Sequence, residues 1–177
     1  LIVVAAAHRR REALPPPWLG PGALDRLTVA VAVASVPVTS VALVAFIGSG
    51  RADTETLTEV LVGRPTWVLV AAGVGFSLVN PLVEEVLFRG LLQTALRVAG
   101  LSAAAAIAVQ AAAFGAIHLY GVPGGPLGVV MAAAWGAMLG VVRQRSGSIR
   151  LPWLVHVAAN ATMFVALVVI ARADGLL

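Results

Sequence analysis

Four stretches of this chain contain no Asp, Glu, Lys or Arg: residues 27–50, 65–83, 98–142 and 151–171. Each is near or above the roughly 20 residues that cross a bilayer as an α-helix. In hydrocarbon no water is present to satisfy the backbone, and a helix satisfies its own. The chain is therefore expected to be all-α, a polytopic transmembrane helical bundle.

Residues 84–90, Glu84-Glu85-Val86-Leu87-Phe88-Arg89-Gly90, break this pattern by setting three charges between apolar runs. An ionisable side chain in hydrocarbon costs several kcal/mol, roughly 3 on insertion scales, and is retained mainly for function. Two adjacent glutamates at this point suggest half of an active site. The histidines downstream, His118 and His156, are the candidates to complete it.

Composition narrows the classes. The chain is 60% hydrophobic and 11% charged, far from an ordinary soluble domain. All 12 basic residues are arginine. They sit between apolar runs rather than interleaved with aromatics on one face, so no nucleic-acid partner is expected and the positive-inside bias accounts for them. There is no cysteine, which excludes disulfides, thiolate catalysis and Cys-ligated zinc. The Ala, Val and Arg bias without Lys suggests a bacterial source, hence a multi-pass protein of the plasma membrane.

Two parts are expected. Residues 1–26 would be the end of a truncated helix (1–7) followed by a basic, proline-rich linker containing His8, a surface residue; residues 27–177 would form the membrane domain. The run at 27–48 is a plain span, with Pro37 as a kink and Ser35, Thr39 and Ser40 available to the freed backbone. The acidic connection 51–64 (Asp53, Glu55, Glu59) belongs outside the membrane. After the apolar segment 67–79, Asn80-Pro81 reads as an N-cap and first helical residue, so a helix is expected to restart at Pro81 with Glu84 and Glu85 in its first turn.

That helix should end near Val98, with Gly100 as its stop, and pair with the alanine-rich run 101–119. Glu84 lies 17 residues before residue 101 and His118 lies 17 after it. At 1.5 Å per residue both fall about 25 Å from the turn, level with each other. Residues 120–126 form a break, 127–142 a span with Gly136 and Gly140 four apart, 143–150 a basic cytoplasmic turn, and 151–171 the last helix, with His156 and Asn160 on one face. If every segment crosses straight, His156 lies only about 9 Å from its basic turn, shallower than the Glu84–His118 pair. A break, a tilt or a re-entrant segment is then needed to bring them level.

Glu85 and Arg89, four apart, can pair on one helix face and leave Glu84 free for a cavity. Charges at a helix end can also be merely solvated, and His118, His156 or Asn160 taken singly can be a packing residue bonded to a neighbour. Together, one glutamate and two histidines on separate apolar helices suit two kinds of water activation. Glu84, His118 and His156 could hold a divalent metal such as Zn2+ with an open position. Without metal, Glu84 would be the general base, His118 would orient the water, and His156 with Asn160 would donate to an oxyanion. No HExxH motif is present.

EEVLFRG (84–90), FGAIH (114–118) and HVAAN (156–160) resemble, in order, the three motifs of the CPBP family of intramembrane proteases. That family includes the type II CAAX prenyl proteases and bacterial bacteriocin-processing or abortive-infection proteins. Glu84, Glu85 and Arg89 match EExxxR, Phe114 and His118 match FxxxH, and His156 and Asn160 match HxxxN, over a core of about 66–171. The resemblance implies an endopeptidase with Glu84, His118, His156 and Asn160 as catalytic groups and Glu85, Arg89 and Phe114 in support. A peptide or protein in or near the bilayer would be the substrate. Both a metalloprotease and a metal-free glutamate protease remain open. Two rivals stand beside this: a non-catalytic immunity or scaffold protein that binds a partner, and a proton or ion carrier using the same buried acids and histidines.

Overall fold

The computed structural model describes residues 16–50, 59, 62–173 and 175. Segment 1–7, His8, Asp53 and Glu55 lie outside the described residues. The helices are α1 (Arg26–Gly48), α2 (Thr66–Glu84), a π-helical stretch (Glu85–Leu92), α3 (Gln93–Val98), α4 (Ala103–Ile117), a 3-10 turn (His118–Tyr120), α5 (Gly125–Ser146) and α6 (Arg150–Ala173). Strands do not occur among the described residues. Five helical rods are long and apolar enough to cross a membrane: α1, the continuous rod Thr66–Val98, Ala103–Tyr120, α5 and α6.

Local signals set most of the ends. Asp25 caps α1 by accepting from the Thr28 amide at 3.0 Å, and Ser102 caps α4 through the Ala105 amide at 3.2 Å. Gly147, at φ 72°, closes α5 in the left-handed conformation that glycine adopts without cost. The expected restart at Pro81 does not occur: α2 runs through Pro81 and the rod continues to Val98. A proline removes one helical hydrogen bond, and in a membrane rod packed on neighbours that loss is tolerated. Glu84 and Glu85 therefore sit in mid-rod, not in a first turn. Close by, Trp153 Nε1 on α6 donates to the Leu78 carbonyl at 3.1 Å, pinning the two helices together.

In α1, which runs through Pro37, Ser35 donates to the Ala32 carbonyl and Ser40 pairs with Thr162 of α6 at 3.1 Å. Neither bonds the Val33 carbonyl, the partner that a proline at 37 leaves free. Leu43 and Ile47 of α1 pack on Ala159, Met163 and Leu167 of α6. Ala32 joins Leu139, Val142 and Val155 in a second cluster. Small residues let α4 and α5 approach closely: a Cβ on Gly115 would stand 2.6 Å from the Val129 carbonyl. Val41 and Val130 are exposed and line neither cavity, as a lipid-facing surface requires.

The linker expected before α1 is a strap over the described part of its length. Residues 17–19 form a 3-10 turn that buries Trp18. The Trp18 carbonyl accepts from the Ile149 amide at 3.0 Å, the Ala23 amide donates to Ser146 at 2.7 Å, and Arg150 Nε reaches the Leu19 carbonyl at 3.0 Å. The Trp18 ring lies over Gly90, where a Cβ would be 3.0 Å from it. Trp18 thus ties the start of α6 to the level of Gly90, short of the α3–α4 tip. Glu84 is six residues above Gly90 and His156 six above Arg150, about 9 Å in each case. The two reach one depth because the basic turn and the hairpin tip are not level, contrary to the straight-crossing expectation.

Candidate functional site

Glu84, at the end of α2, keeps 15% of its side chain exposed. Glu85 and Arg89, on the π stretch, keep none. A π turn is an irregularity that recurs at functional positions in helices. Here it starts at the second of the two glutamates and spans the rest of the motif.

Arg89 Nη1 donates to Glu85 Oε1 at 3.0 Å, the (i, i+4) pair expected from spacing. The same oxygen lies 2.8 Å from His156 Nδ1. A carboxylate only accepts, so this contact puts a proton on Nδ1 and aims Nε2 forward. Nε2 stands 3.3 Å from Glu84 Oε2. Two bare acceptors would repel at that distance, so a proton belongs between them. With it on Nε2, the set Glu84, Glu85, Arg89 and His156 is neutral as a whole, which lowers the cost of holding four ionisable groups away from water.

His118 lies in the 3-10 turn, half-buried. Its Nδ1 is 2.7 Å from the Phe114 carbonyl, a pure acceptor, so Nδ1 carries the proton and Nε2 is left as an acceptor. Phe114 is the hub of the rings. It packs against His118 in a tilted contact at 4.6 Å, meets His156 edge-on at 5.9 Å and Phe88 at 5.1 Å, and lies under the Arg89 guanidinium at 4.3 Å. Cation–π contact and stacking of this kind fix ring orientation.

Glu84, His118, His156, Asn160 and Phe114 all line one cavity of about 940 Å³, with Asn80 and Trp135 beside them. Glu85 and Arg89 stand behind its wall. Of the lining residues, Asn160 has a buried amide nitrogen, Nδ2, that makes no hydrogen bond, and the buried Glu84 Oε2 has only the 3.3 Å approach of His156 Nε2. A carboxylate and an amide donor on one cavity wall are complementary to a water and a carbonyl oxygen.

Among the described residues no group of three or more His, Asp or Glu side chains is arranged to hold a metal ion. Glu84, His118 and His156, the side chains expected to hold a metal, line the same cavity, with His156 Nδ1 bonded to Glu85.

Sequence reasoning passed over two buried amides. Gln93 Nε2 donates to the Gly140 carbonyl at 3.2 Å, and Gln110 Nε2 to the Gly136 carbonyl at 2.8 Å. Arg89 Nη2 reaches the same Gly136 carbonyl at 3.3 Å. Gln110 in an alanine-rich, charge-free run is as out of place as His118, and that was the available signal. Gly136 and Gly140, expected as a plain packing motif, are the slot these side chains enter. A Cβ on Gly140 would come 2.5 Å from Gln110 Nε2, and one on Gly136 would meet Phe114 at 3.0 Å and Arg89 at 3.3 Å.

The Rce1-like family, described as type II CAAX prenyl endopeptidase Rce1-like, matches residues 65–162. That range opens one residue before α2 and closes just past Asn160, enclosing every residue of the three motifs. No curated protein and no solved structure matches the chain.

Proposed function

This chain belongs to the Rce1-like type II CAAX prenyl endopeptidase family, and on that premise we propose that it hydrolyses peptide bonds with a water activated by Glu84 and oriented by His118. It is an integral, multi-pass membrane protein of a protease family; the residue roles and the absence of a metal step are our own assignment. The observation that carries it is that Glu84, His118, His156 and Asn160 line one cavity, with the Asn160 amide nitrogen left without a hydrogen-bond partner.

The steps follow from the hydrogen-bond roles. A water in the cavity donates one hydrogen to the Glu84 carboxylate and the other to His118 Nε2, the free acceptor of that ring. Its lone pair then faces a substrate carbonyl carbon. Glu84 takes the proton as the C–O bond forms, and the carbonyl oxygen becomes an oxyanion. Asn160 Nδ2–H donates to it, joined by the Nε2–H of His156, which turns from Glu84 as that carboxylate becomes neutral. Oriented donors in a water-poor site are worth far more than in bulk water. Collapse of the intermediate breaks the C–N bond, and Glu84 returns its proton to the leaving amine.

The test uses the purified protein in detergent and a farnesylated CAAX peptide, the probe that the family description suggests. Wild type is expected to cleave it with or without a chelator, and Glu84→Gln to be inactive while still inserting and folding. Cleavage by Glu84→Gln would end the assignment. Loss of wild-type cleavage on chelation, restored by Zn2+, would return the metal scheme in its place.

A further inference from the structure

We propose that Gln110 is a positioning residue for the catalytic pair, acting through a buried chain of contacts; this rests on the function proposed above. Its side chain is fully buried on α4, remote in sequence from all three motifs, and nothing in the hydrolysis scheme calls for it. Its Nε2 donates to the Gly136 carbonyl at 2.8 Å. That carbonyl is also the anchor of Arg89 Nη2 at 3.3 Å. Arg89 Nη1 then holds Glu85 Oε1 at 3.0 Å, Glu85 holds His156 Nδ1 at 2.8 Å, and His156 Nε2 faces Glu84 at 3.3 Å.

A carbonyl has two lone pairs, so Gly136 can serve both donors, and the Gln110 bond fixes where the second lies for Arg89. Polar groups linked this way polarise and orient one another in a low-dielectric interior. The slot is cut for it: the missing side chain of Gly140 is the space through which the Gln110 amide passes, since a Cβ there would stand 2.5 Å from Nε2. Gln93 is the natural comparison. It is equally buried and also bonds a glycine carbonyl on α5, but that carbonyl, Gly140, receives no contact from Arg89.

The experiment compares Gln110→Met with Gln93→Met in detergent, each keeping side-chain length and removing the amide. Kinetics on the farnesylated CAAX peptide should show kcat of Gln110→Met reduced about tenfold to a hundredfold, the range for loss of an outer support or of fine alignment. KM should stay within about twofold, and the pH profile of kcat should be displaced. Gln93→Met should keep its kcat within about twofold at a similar loss of thermal stability. Independently of turnover, the His156 imidazole N–H resonance should move in Gln110→Met and not in Gln93→Met. If Gln110→Met does not fold, Gly140→Ala, which pushes the amide aside, should give the same signature. A wild-type kcat, pH profile and His156 resonance in Gln110→Met would overturn the inference. So would activity lost by both variants only in proportion to unfolded protein. Absence of cleavage by the wild type would defeat the proposed function instead, and the resonance would still decide the role of Gln110.

Discussion

Glu85 Oε1 accepts from two sides at once, His156 Nδ1 at 2.8 Å and Arg89 Nη1 at 3.0 Å. One oxygen therefore couples the ring that faces the reaction to the guanidinium that neutralises the motif. Removing the guanidinium would leave one carboxylate charge uncompensated in a buried site. Arg89→Met is expected to destabilise the protein by about 3–5 kcal/mol, the usual cost of breaking a buried pair from one side. Arg89→Lys should recover only part of that, because a lysine cannot reach Glu85 and the Gly136 carbonyl in the same forked geometry. Thermal unfolding in detergent measures both.

Asn160 tests the oxyanion assignment separately from water activation. Asn160→Ala should lower kcat by about a hundredfold to a thousandfold, the range for one lost donor, with KM little changed because the contact strengthens only as charge develops. A drop confined to KM would instead make Asn160 a substrate-binding residue. Steady-state kinetics with the same peptide separate the two.

Orientation in the membrane follows from where the arginines stand. Arg26, Arg97, Arg143, Arg145 and Arg150 lie at the helix ends joined by the strap and the two short turns, whereas Arg64 and Arg172 lie at the other ends. The positive-inside bias predicts that the first group faces the cytoplasm. The chain has no cysteine, so single substitutions report cleanly. In right-side-out spheroplasts a membrane-impermeant maleimide should label Val62→Cys and spare Ala99→Cys until the membrane is opened. The reverse pattern would invert the topology.

Acid should loosen one helix start. The hydroxyl of Thr28, then its amide, then Arg145 hold the Asp25 carboxyl down from 3.8 to about 2. A depressed folded value means that this cap contributes fully above pH 3.8, and that the contribution is lost as pH falls through about 2. Hydrogen-exchange protection at Thr28 and its neighbours, taken relative to the intrinsic rate at each pH, should be high at pH 4 and fall progressively toward pH 2. Asp25→Asn, which keeps an acceptor without the charge, should flatten that dependence.

The sequence was most legible where chemistry conflicts with lipid. Glu84, Glu85, Arg89, His118 and His156 were conspicuous because nothing else in their runs is ionisable, and counting from the hairpin turn placed Glu84 level with His118. Pro81 misled because the rule that starts a helix at proline assumes water at the helix end, whereas a packed membrane rod carries the defect within it. The depth of His156 could not be counted, since it depends on Trp18 fixing where α6 begins. Gln110 and Gly136 stayed hidden for a related reason: a lone amide and a small residue acquire meaning only when packing brings a particular carbonyl to a particular guanidinium.

Gly90 closes the EEVLFRG motif without touching any reacting group. A methyl at that position would press on the Trp18 indole, so the glycine exists to seat the strap on the rod that bears both acids. The chain entering the first span and the helix holding the acids are thereby one mechanical body. The strap thus bears on the acid-bearing rod about two turns from Glu84.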